Sequence, residues 1–288
     1  MLILDSVAAM QQWSQAHRQA GQGIAFVPTM GYLHQGHVSL LDAARKAADL
    51  LVLSIFVNPT QFGAGEDFDT YPQDLAKDTH LAKKAGVDVV FVPPAAQMYP
   101  QGYNSWVEVA GITEVLCGAS RPGHFRGVTT VVNKLFNIIA PRVAFFGNKD
   151  FQQLAVIRRM VKDLNLPVDI VGLPIVREAD GLAMSSRNSY LAQEERQQAL
   201  CLSQAIAQAQ QLAKNGELRV TEILHRLRMS IESHLLVKID YLKICHQDSL
   251  QEQMLVDENS VLLLAVFIGR TRLIDNAFVM EPVAKIPL

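Results

Sequence analysis

Residues 23–57 read GIAFVPTMGYLHQGHVSLLDAARKAADLLVLSIFV, and this stretch decides the fold class. It begins with a short apolar run and passes through a glycine-containing loop, Gly31 to Gly36. From His37 to Leu50 the apolar residues recur at helical spacing. The apolar run from Leu51 to Val57 suits a parallel strand that is covered on both faces. A strand, a helix and a second strand in this order predict a βαβ unit of an α/β domain.

The alternation of strand-like and helix-like stretches continues as far as Val176. Further helices are expected at Asp74–Ala85, Gly127–Ile139 and Asp150–Asn165. Further strands are expected at Val87–Val92, Arg142–Phe146 and Val168–Val176. This alternation predicts an open, Rossmann-like parallel sheet. Right-handed crossovers then bring the carboxyl ends of the strands, and with them the ligand, to one edge of the sheet.

The pattern changes beyond Val176. Two long helices are expected, at Gln193–Asn215 and Val220–Leu236. Three strands are expected, at Ile239–Ile244, Val261–Ile268 and Thr271–Ile274, with Gly269-Arg270 as a tight turn between the last two. The sequence therefore predicts an α/β protein with a Rossmann-like domain over residues 1–176 and a smaller α+β domain over residues 177–288.

The bulk composition indicates an ordinary globular protein. Hydrophobic residues make up 49% of the chain and the formal net charge is −2, so the basic excess of a nucleic-acid binder is missing. No basic segment precedes an apolar run at the N-terminus, and no stretch is apolar for long enough to predict a transmembrane helix. The three cysteines have long spacings and no CxxC pattern, which favours reduced thiols over disulfides or a zinc site. We expect a cytoplasmic protein without nucleic-acid or membrane partners.

The loop between the first strand and its helix carries the strongest chemical signal. It consists of Met30, Gly31, Tyr32, Leu33, His34, Gln35, Gly36 and His37. A loop that follows a strand and opens a helix presents backbone N–H groups to an anion, and its glycines allow a phosphate to approach closely. The two histidines are three positions apart at the start of the helix, so both imidazoles can face one point. A metal pair would need a third ligand, and none is near in the sequence, so we predict a nucleotide site.

Two later segments offer further groups to a nucleotide. Met184, Ser185, Ser186 and Arg187 place two hydroxyl groups and a guanidinium group within one short stretch. Gly147, Asn148, Lys149 and Asp150 again follow a strand and open a helix. Lys149 can reach a bound phosphate, and Asp150 can accept ribose hydroxyls or simply cap the helix. Gln153 lies one turn further on, where its amide can bind a polar substrate.

Polar residues after other strands suggest where a second substrate binds. Asn58 and Gln61 follow the apolar run that ends at Val57, and uncharged amides suit a substrate with hydroxyl groups. The next stretch, Gly63 to Tyr71, is either a mobile lid or a surface loop. The stretch from Arg121 to Gly127 is either an anion-facing loop or a structural turn.

Taken together, these segments resemble known enzymes. The His-x-Gly-His stretch and the Met-Ser-Ser-Arg stretch resemble the two-part signature of the HIGH/KMSKS nucleotidyltransferases, although Ala183 replaces the first lysine of the generic KMSKS pattern. PTMGYLHQGHVSLL, SIFVNPTQF, RPGHFRGV, GNKDFQQL and DGLAMSSRN, in this order, resemble the pantoate–β-alanine ligase family over nearly the whole chain.

The resemblance implies a specific activity. Members of the family join (R)-pantoate to β-alanine with ATP through a pantoyl-adenylate, use Mg²⁺, and are usually homodimers. The positions that match the family's ATP contacts are Met30 to His37, Gly147 to Asp150, Val176 and Met184 to Arg187. Those that match its pantoate-binding residues are Gln61 and Gln153. His37 matches the residue described as the proton donor, and Asp78 falls where the family places an acid near magnesium.

We expect the chemistry to rest on positioning and charge stabilisation. His34, His37, Lys149, Ser186 and Arg187 are the candidate catalytic residues, while Asn58 joins the two glutamines as a candidate pantoate contact. Three alternatives stay open from the residues alone. They are a nucleotidylyltransferase that releases its adenylated product, a relative of the aminoacyl-tRNA ligases, and a nucleotide sensor without catalytic activity.

Overall fold

The structure, a computed structural model, describes residues 1–280; residues 281–288 of the predicted second domain lie outside the described part. The described chain divides into two compact units. The first consists of residues 1–114, 121–148 and 153–176. The second consists of residues 115–120, 149–152 and the chain from Arg177 onward. The main division thus follows Val176, and two short earlier segments cluster with the second unit.

The first unit is built on a six-stranded sheet in which every pair of neighbouring strands is parallel. Its strands are β1 (Leu2–Leu4), β2 (Ile24–Thr29), β3 (Leu50–Ile55), β4 (Val89–Phe91), β5 (Val143–Gly147) and β6 (Asp169–Leu173). Their order across the sheet is β1-β4-β3-β2-β5-β6. This architecture confirms the predicted Rossmann-like parallel sheet.

Helices connect these strands. The helices before Val176 are α1 (Val7–Gln19), α2 (Gln35–Arg45), α3 (Leu75–Lys84), α4 (Ala95–Met98), α5 (Cys117–Ser120), α6 (His124–Ile139) and α7 (Phe151–Asp163). Two 3₁₀ turns, Pro59–Gln61 and Asn148–Asp150, follow β3 and β5. Both turns contain residues that the sequence predicts to bind ligands.

Alternating residues of β2 explain why both faces of the sheet are covered. Ala25 and Val27 are fully buried and belong to an apolar cluster that also contains Leu41 of α2. Phe26, between them in sequence, packs edge-on against Phe136 of α6 with ring centroids 6.4 Å apart. Because successive strand side chains point to opposite faces, α2 and α6 cover opposite sides of β2.

The second unit is smaller and antiparallel. Its further helices are α8 (Gln193–Ala199), α9 (Cys201–Lys214) and α10 (Val220–Glu232), and its strands are β7 (Val237–His246), β8 (Ser260–Ile268) and β9 (Thr271–Phe278). The strand order is β7-β8-β9. Ile223 and Leu227 of α10 are buried in one cluster with Leu262 and Leu264 of β8. The predicted α+β unit is therefore confirmed.

Three differences from the predicted elements stand out. The helix expected over Gln193–Asn215 is two helices separated at Leu200. The N-terminal β1 and α1 were not predicted. The strand expected to end at Ile274 continues to Phe278, because it pairs with β8 along its whole length. No helix in residues 1–280 is long and apolar enough to cross a membrane.

Candidate active site

The strand order of the first unit marks one position on the sheet edge. β2 lies between β3 and β5, so the connections run outward in opposite directions from the β2–β5 pair. The loop from Met30 to His34 follows β2, and Asn148 follows β5. Ligands of open α/β sheets bind beyond the carboxyl ends of the strands at such a switch point.

The loop after β2 has an unusual backbone. Gly31 has a φ of 87° and Tyr32 a φ of 52°, both in the left-handed region. A Cβ atom on Gly31 would stand 2.9 Å from Cγ2 of Ile55 and 3.0 Å from Oδ2 of Asp78. Glycine at position 31 is therefore required both by the conformation and by the space.

Asp78, on α3, holds this loop through hydrogen bonds to its backbone. Its Oδ2 accepts the backbone N–H of Tyr32 at 2.8 Å and its Oδ1 accepts that of Leu33 at 2.6 Å. The residue is 1% exposed. Burial raises the pKa of Asp78 above its ordinary value, and the two backbone hydrogen bonds oppose that rise.

The surroundings of Asp78 do not fit a magnesium ligand. Both of its oxygens accept backbone hydrogen bonds, and the side chain is shielded from solvent. No group of three or more His, Cys, Asp or Glu side chains within residues 1–280 could hold a metal ion. The geometry favours a role for Asp78 in shaping the loop.

The two histidines come together at the start of α2. His34 caps the helix, and its Nδ1 accepts the backbone N–H of Gly36 at 3.1 Å. Nδ1 of His37 accepts the backbone N–H of His34 at 3.3 Å, and the two ring centroids are 4.1 Å apart. Because each Nδ1 is an acceptor, each neutral ring carries its proton on Nε2. The two neighbouring rings thus carry their N–H groups on Nε2, and such groups are suited to donate hydrogen bonds to an anion.

The predicted amides after β3 are arranged differently from one another. Asn58 is 1% exposed, and its Nδ2 donates to Oε1 of Gln61 at 3.1 Å and to the carbonyl oxygen of Gly127 at 3.1 Å. Its Oδ1 accepts the hydroxyl of Tyr99 at 2.7 Å. Asn58 therefore uses its hydrogen-bonding groups within the protein. Gln61 is half-buried, and its Nε2 lies 3.3 Å from Sδ of Met30, so these two predicted site residues are neighbours.

The segment from Arg121 to Gly127 packs against the Pro59–Gln61 turn. His124 Nδ1 donates to the carbonyl oxygen of Gln61 at 2.8 Å. A Cβ atom on Gly127 would stand 2.3 Å from the carbonyl oxygen of Thr60, so only glycine lets α6 approach this turn. Of the two open interpretations of the segment, the contacts favour the structural one.

Arg121 also anchors the loop from Gly63 to Tyr71. Its Nε donates to Oε1 of Glu66 at 2.7 Å and its Nη2 to Oε2 at 2.5 Å, a bidentate ion pair. Phe62 packs on Phe68 with ring centroids 5.3 Å apart and on Tyr71 at 6.0 Å. The Arg121–Glu66 ion pair and this small aromatic cluster therefore hold the loop within the first unit.

Lys149, which clusters with the second unit, lies in the 3₁₀ turn Asn148–Asp150. The carbonyl oxygen of Lys149 accepts Nδ2 of Asn276 at 2.8 Å, which ties the turn to β9. The lysine side chain is half-buried, and its ammonium group has no ion-pair partner within residues 1–280. Asp150 is exposed.

The segment from Met184 to Arg187 leads into a 3₁₀ turn, Ser186–Tyr190. Ser185 caps this turn, because its Oγ accepts the backbone N–H of Arg187 at 3.3 Å. Asn188 fixes this turn by donating to Oε1 of Glu178 at 2.6 Å and to the carbonyl oxygen of Ala183 at 3.0 Å. Ser186 is buried, while Met184, Ser185 and Arg187 are half-buried.

An ion-pair network stabilises the hairpin that precedes this turn. Arg177 binds Asp275 through two hydrogen bonds of 2.7 and 3.0 Å, and also donates to the carbonyl oxygen of Gly181 at 3.1 Å. Arg196 binds Glu178 at 2.6 Å and Asp180 at 2.7 Å. Asp275 is 2% exposed, so its carboxylate is buried against the Arg177 guanidinium group.

The comparison with known protein families identifies the chain. Pantoate-beta-alanine ligase is the family that matches, over residues 2–278. The chain belongs to the pantoate-beta-alanine ligase family. Pantothenate synthetase from Syntrophotalea carbinolica is 58% identical over 98% of this chain and 100% of its own. That from Heliobacterium modesticaldum is 56% identical over 97% of this chain and 99% of its own.

Solved structures of the ligase family agree. Pantothenate synthetase from Thermus thermophilus superposes with a TM-score of 0.93 at 43% identity, covering 98% of this chain and 100% of that one. The Francisella tularensis ligase, solved with beta-gamma ATP and beta-alanine, superposes with a TM-score of 0.81 at 34% identity, covering 97% and 98%. The chain is therefore an enzyme, a ligase of pantothenate biosynthesis.

Several residues of the ligase that shape the site carried no signal in the sequence. Tyr99 and Glu66 reach their partners only in the folded chain, and the role of Glu178 depends on two partners from a later turn and helix. Gln152, beside the predicted Gln153, is buried and bonds to the backbone of Val115 at 2.8 Å.

Proposed function

We propose that this ligase condenses (R)-pantoate with β-alanine at the expense of ATP, and that it releases AMP and pyrophosphate after forming a pantoyl-adenylate. The Francisella tularensis relative was solved with beta-gamma ATP and β-alanine, which supports ATP and β-alanine as substrates. The observation that carries the proposal is the pair of histidines beyond β2, in which backbone N–H groups hold both Nδ1 atoms and so place both ring protons on Nε2.

In the first step a carboxylate oxygen of pantoate attacks the α-phosphorus of ATP. A new phosphorus–oxygen bond forms as the bond to the bridging oxygen of pyrophosphate breaks. Negative charge grows on the phosphate oxygens, and preorganised N–H donors stabilise that charge without rearranging. His34 and His37 act in this way, and the backbone of Gly31 and Gly36 lets the phosphates approach the loop.

The other groups of the first unit bind and orient the substrates. Gln61 and Gln153 hold the polar groups of pantoate so that its carboxylate is in line for attack. Asn58 contributes by holding Gln61, in place of the direct pantoate contact expected from the sequence. Met30, Tyr32, Leu33, Gln35, Gly147, Asn148 and Val176 line the nucleotide.

The second unit contributes cationic and hydroxyl groups. Lys149 and Arg187 neutralise the triphosphate, and Ser186 donates a hydrogen bond to it. Met184 and Ser185 complete this segment, and Asp150 accepts hydrogen bonds from the ribose. Lys149 suits its role because the residue is half-buried and its ammonium group has no competing ion pair in the described chain.

In the second step the free amine of β-alanine attacks the acyl carbon of the adenylate. The carbon–nitrogen bond forms and the bond from the acyl carbon to the phosphate oxygen breaks, so that AMP leaves with that oxygen and the nitrogen releases one proton to solvent. The loop from Gly63 to Tyr71, anchored by Glu66, helps to exclude water from the mixed anhydride. Magnesium, which the family resemblance implies, would offset the charge of the triphosphate when bound, and Asp78 does not fit as its ligand.

Exchange of ³²P between pyrophosphate and ATP, with pantoate and magnesium but without β-alanine, tests the first step. We expect exchange that depends on pantoate and that falls about 10²- to 10³-fold in Lys149→Ala, as for other groups that stabilise transition-state charge. Lys162→Ala is the matched control, because Lys162 is an exposed lysine in the last turn of α7. We expect its exchange rate to equal that of the wild type.

Two outcomes would contradict the proposal. Absence of pantoate-dependent exchange, in an enzyme that still forms pantothenate, would exclude a reversible pantoyl-adenylate. Normal exchange in Lys149→Ala would remove this lysine from the adenylation step.

A further inference from the structure

The amide of Asn58 has only one possible orientation. Its Nδ2 lies 3.1 Å from the carbonyl oxygen of Gly127, which can only accept a hydrogen bond. Its Oδ1 lies 3.4 Å from the backbone N–H of Thr60, which can only donate. Rotating the amide by half a turn would set N–H against N–H and oxygen against oxygen.

The orientation of Asn58 fixes that of Gln61. The second hydrogen of Asn58 Nδ2 points to Oε1 of Gln61 at 3.1 Å. Oε1 is therefore held on the side of Asn58, and Nε2 is turned the other way, 3.3 Å from Sδ of Met30. A thioether is a weak acceptor, so the Nε2–H groups keep most of their capacity to donate. Gln61 thus presents donors, and these select an acceptor oxygen on the ligand.

Tyr99 stands behind Asn58 in this chain of hydrogen bonds. Its hydroxyl lies 2.7 Å from Oδ1 of Asn58 and 3.2 Å from Oγ1 of Thr60. Burial raises the pKa of Tyr99 to about 12, so the hydroxyl keeps its proton at neutral pH and donates it. The ring is fixed by packing against Tyr103 at a centroid distance of 5.2 Å and against Phe56 at 6.4 Å.

We propose that Tyr99 is a positioning residue for the acid substrate, which acts through Asn58 by holding the Gln61 amide with its N–H groups toward the ligand. The inference rests on the proposed function, in which Gln61 binds pantoate. It adds a residue that does not touch the substrate. It also predicts that the atom bound by Gln61 is an oxygen acceptor of the acid, a carboxylate or hydroxyl oxygen.

Tyr99→Phe removes the hydroxyl and keeps the ring. Asn58 Oδ1 retains the hydroxyl of Thr60 at 3.0 Å, so the amide loses only part of its restraint. We expect KM for pantoate to rise about three- to tenfold, the effect of one neutral hydrogen bond. We expect KM for ATP to stay within about twofold and the thermal midpoint within about 2 °C of the wild type. Pantoate-dependent exchange gives both KM values, and calorimetric titration gives pantoate affinity without turnover.

Tyr103→Phe is the matched control. Tyr103 packs on Tyr99 and carries a hydroxyl for which no hydrogen bond is found in residues 1–280. Its loss should leave both KM values unchanged. A double-mutant cycle then tests the route, because Tyr99→Phe should add nothing to the loss of pantoate affinity already caused by Asn58→Ala.

The results separate this inference from the proposed function. A rise in KM for pantoate alone, absent from the control and from the Asn58→Ala background, supports the positioning role. A KM for pantoate in Tyr99→Phe equal to that of Tyr103→Phe overturns it, provided that the wild type shows pantoate-dependent exchange. Equal increases in both KM values with a lower thermal midpoint also overturn it, since they would mark a purely structural residue. A wild type without exchange would contradict the proposed adenylation step first.

Discussion

Asp78 shows how one buried carboxylate can set the geometry of the histidine loop. It binds the N–H groups of Tyr32 and Leu33, which are 46 and 45 positions away in the chain. Tyr32 is held at a φ of 52°, a conformation that costs about 1 kcal/mol or more for a residue with a side chain. The two hydrogen bonds offset this cost and fix the backbone that leads into α2, where His34 and His37 lie.

Asp78→Asn is expected to lower kcat about 10- to 100-fold without changing the magnesium concentration that gives half-maximal activity. An amide has to turn its NH₂ group toward one of the two backbone N–H groups, which leaves that donor unpaired and lets the loop relax. A displacement of the imidazoles by about 1 Å suffices for a loss of this size. Pantothenate formation across a magnesium titration measures both quantities.

Asp74→Ala is the control for this substitution. Asp74 caps the same helix, where its Oδ1 accepts the backbone N–H of Lys77 at 2.9 Å. Its loss should cost about 1 kcal/mol of stability and leave kcat unchanged. If Asp78→Asn instead needs much more magnesium, Asp78 is a metal ligand and its assignment to the loop is wrong.

The residues of the loop were predictable, and the residues that support it were not. His34 and His37 could be found because glycines and histidines follow an apolar run at a fixed spacing. Asp78 offers no such pattern, since an acid in the first turn of a helix usually favours the helix dipole. The sequence predicts Asn58 as a site residue because it follows an apolar run, but its partners Tyr99 and Gly127 are 41 and 69 positions away.

The loop from Gly63 to Tyr71 is held by a charge pair whose strength depends on pH. The Glu66 and Arg121 side chains are 25% and 16% exposed. Burial by itself raises the pKa of Glu66, but the hydrogen bonds and charge of Arg121 outweigh it and hold the pKa below its ordinary value of 4.5. A carboxyl group with a lowered pKa in the folded state stabilises that state at every pH above its ordinary pKa.

Glu66→Gln is therefore expected to lower the free energy of unfolding by about 1–2 kcal/mol at pH 7. The difference from the wild type should persist down to about pH 4.5 and then shrink as the pH falls through the lowered pKa, because the wild-type carboxyl is then protonated too. Urea unfolding at a series of pH values measures this difference.

Asp163→Asn serves as the reference for that series. Asp163 pairs with Arg159 on α7 at 2.7 Å, but their side chains are 46% and 57% exposed. Such a pair should contribute less than about 0.5 kcal/mol at any pH. A pH-independent loss in Glu66→Gln would mean that packing of the loop, and not the charge pair, is what the substitution disturbs.

Elements with a strong internal pattern were predicted well, and those that depend on pairing were not. β3 is a nearly continuous apolar run, as expected of a strand covered on both faces, and α10 has apolar residues at helical spacing. β1 has only three residues, Leu2 to Leu4, and becomes a strand because it pairs with β4. The interruption at Leu200 has no glycine or proline to mark it, so a continuous helix was the natural expectation.

The alternation along the whole chain predicted two kinds of domain but not the arrangement within them. A parallel sheet follows from strands that alternate with helices, whereas the order β1-β4-β3-β2-β5-β6 depends on which strands meet in the fold. The change of pattern at Val176 also could not show that residues 115–120 and 149–152 cluster with the second unit. Lys149 lies in one of these segments. This candidate catalytic residue therefore belongs to the second unit, whereas β5, the strand that precedes it, belongs to the first.

Each unit has its own buried apolar cluster, and the two clusters share no residue. Leu264 of β8 and Leu53 of β3 are both fully buried, one in each cluster.

Leu264→Ala should lower the opening free energy of slowly exchanging amides in β7, β8 and β9 by about 2–5 kcal/mol, because it leaves a cavity in that cluster. The opening free energies of amides in β2, β3 and β5 should stay unchanged. Leu53→Ala should instead lower the opening free energies in β2, β3 and β5 and leave those in β7, β8 and β9 unchanged. Native-state hydrogen exchange followed by mass spectrometry measures the opening free energies of amides in both units in one experiment. Equal losses in both units for either variant would mean that the chain unfolds as one cooperative body, and the separate clusters would then have no separate stability.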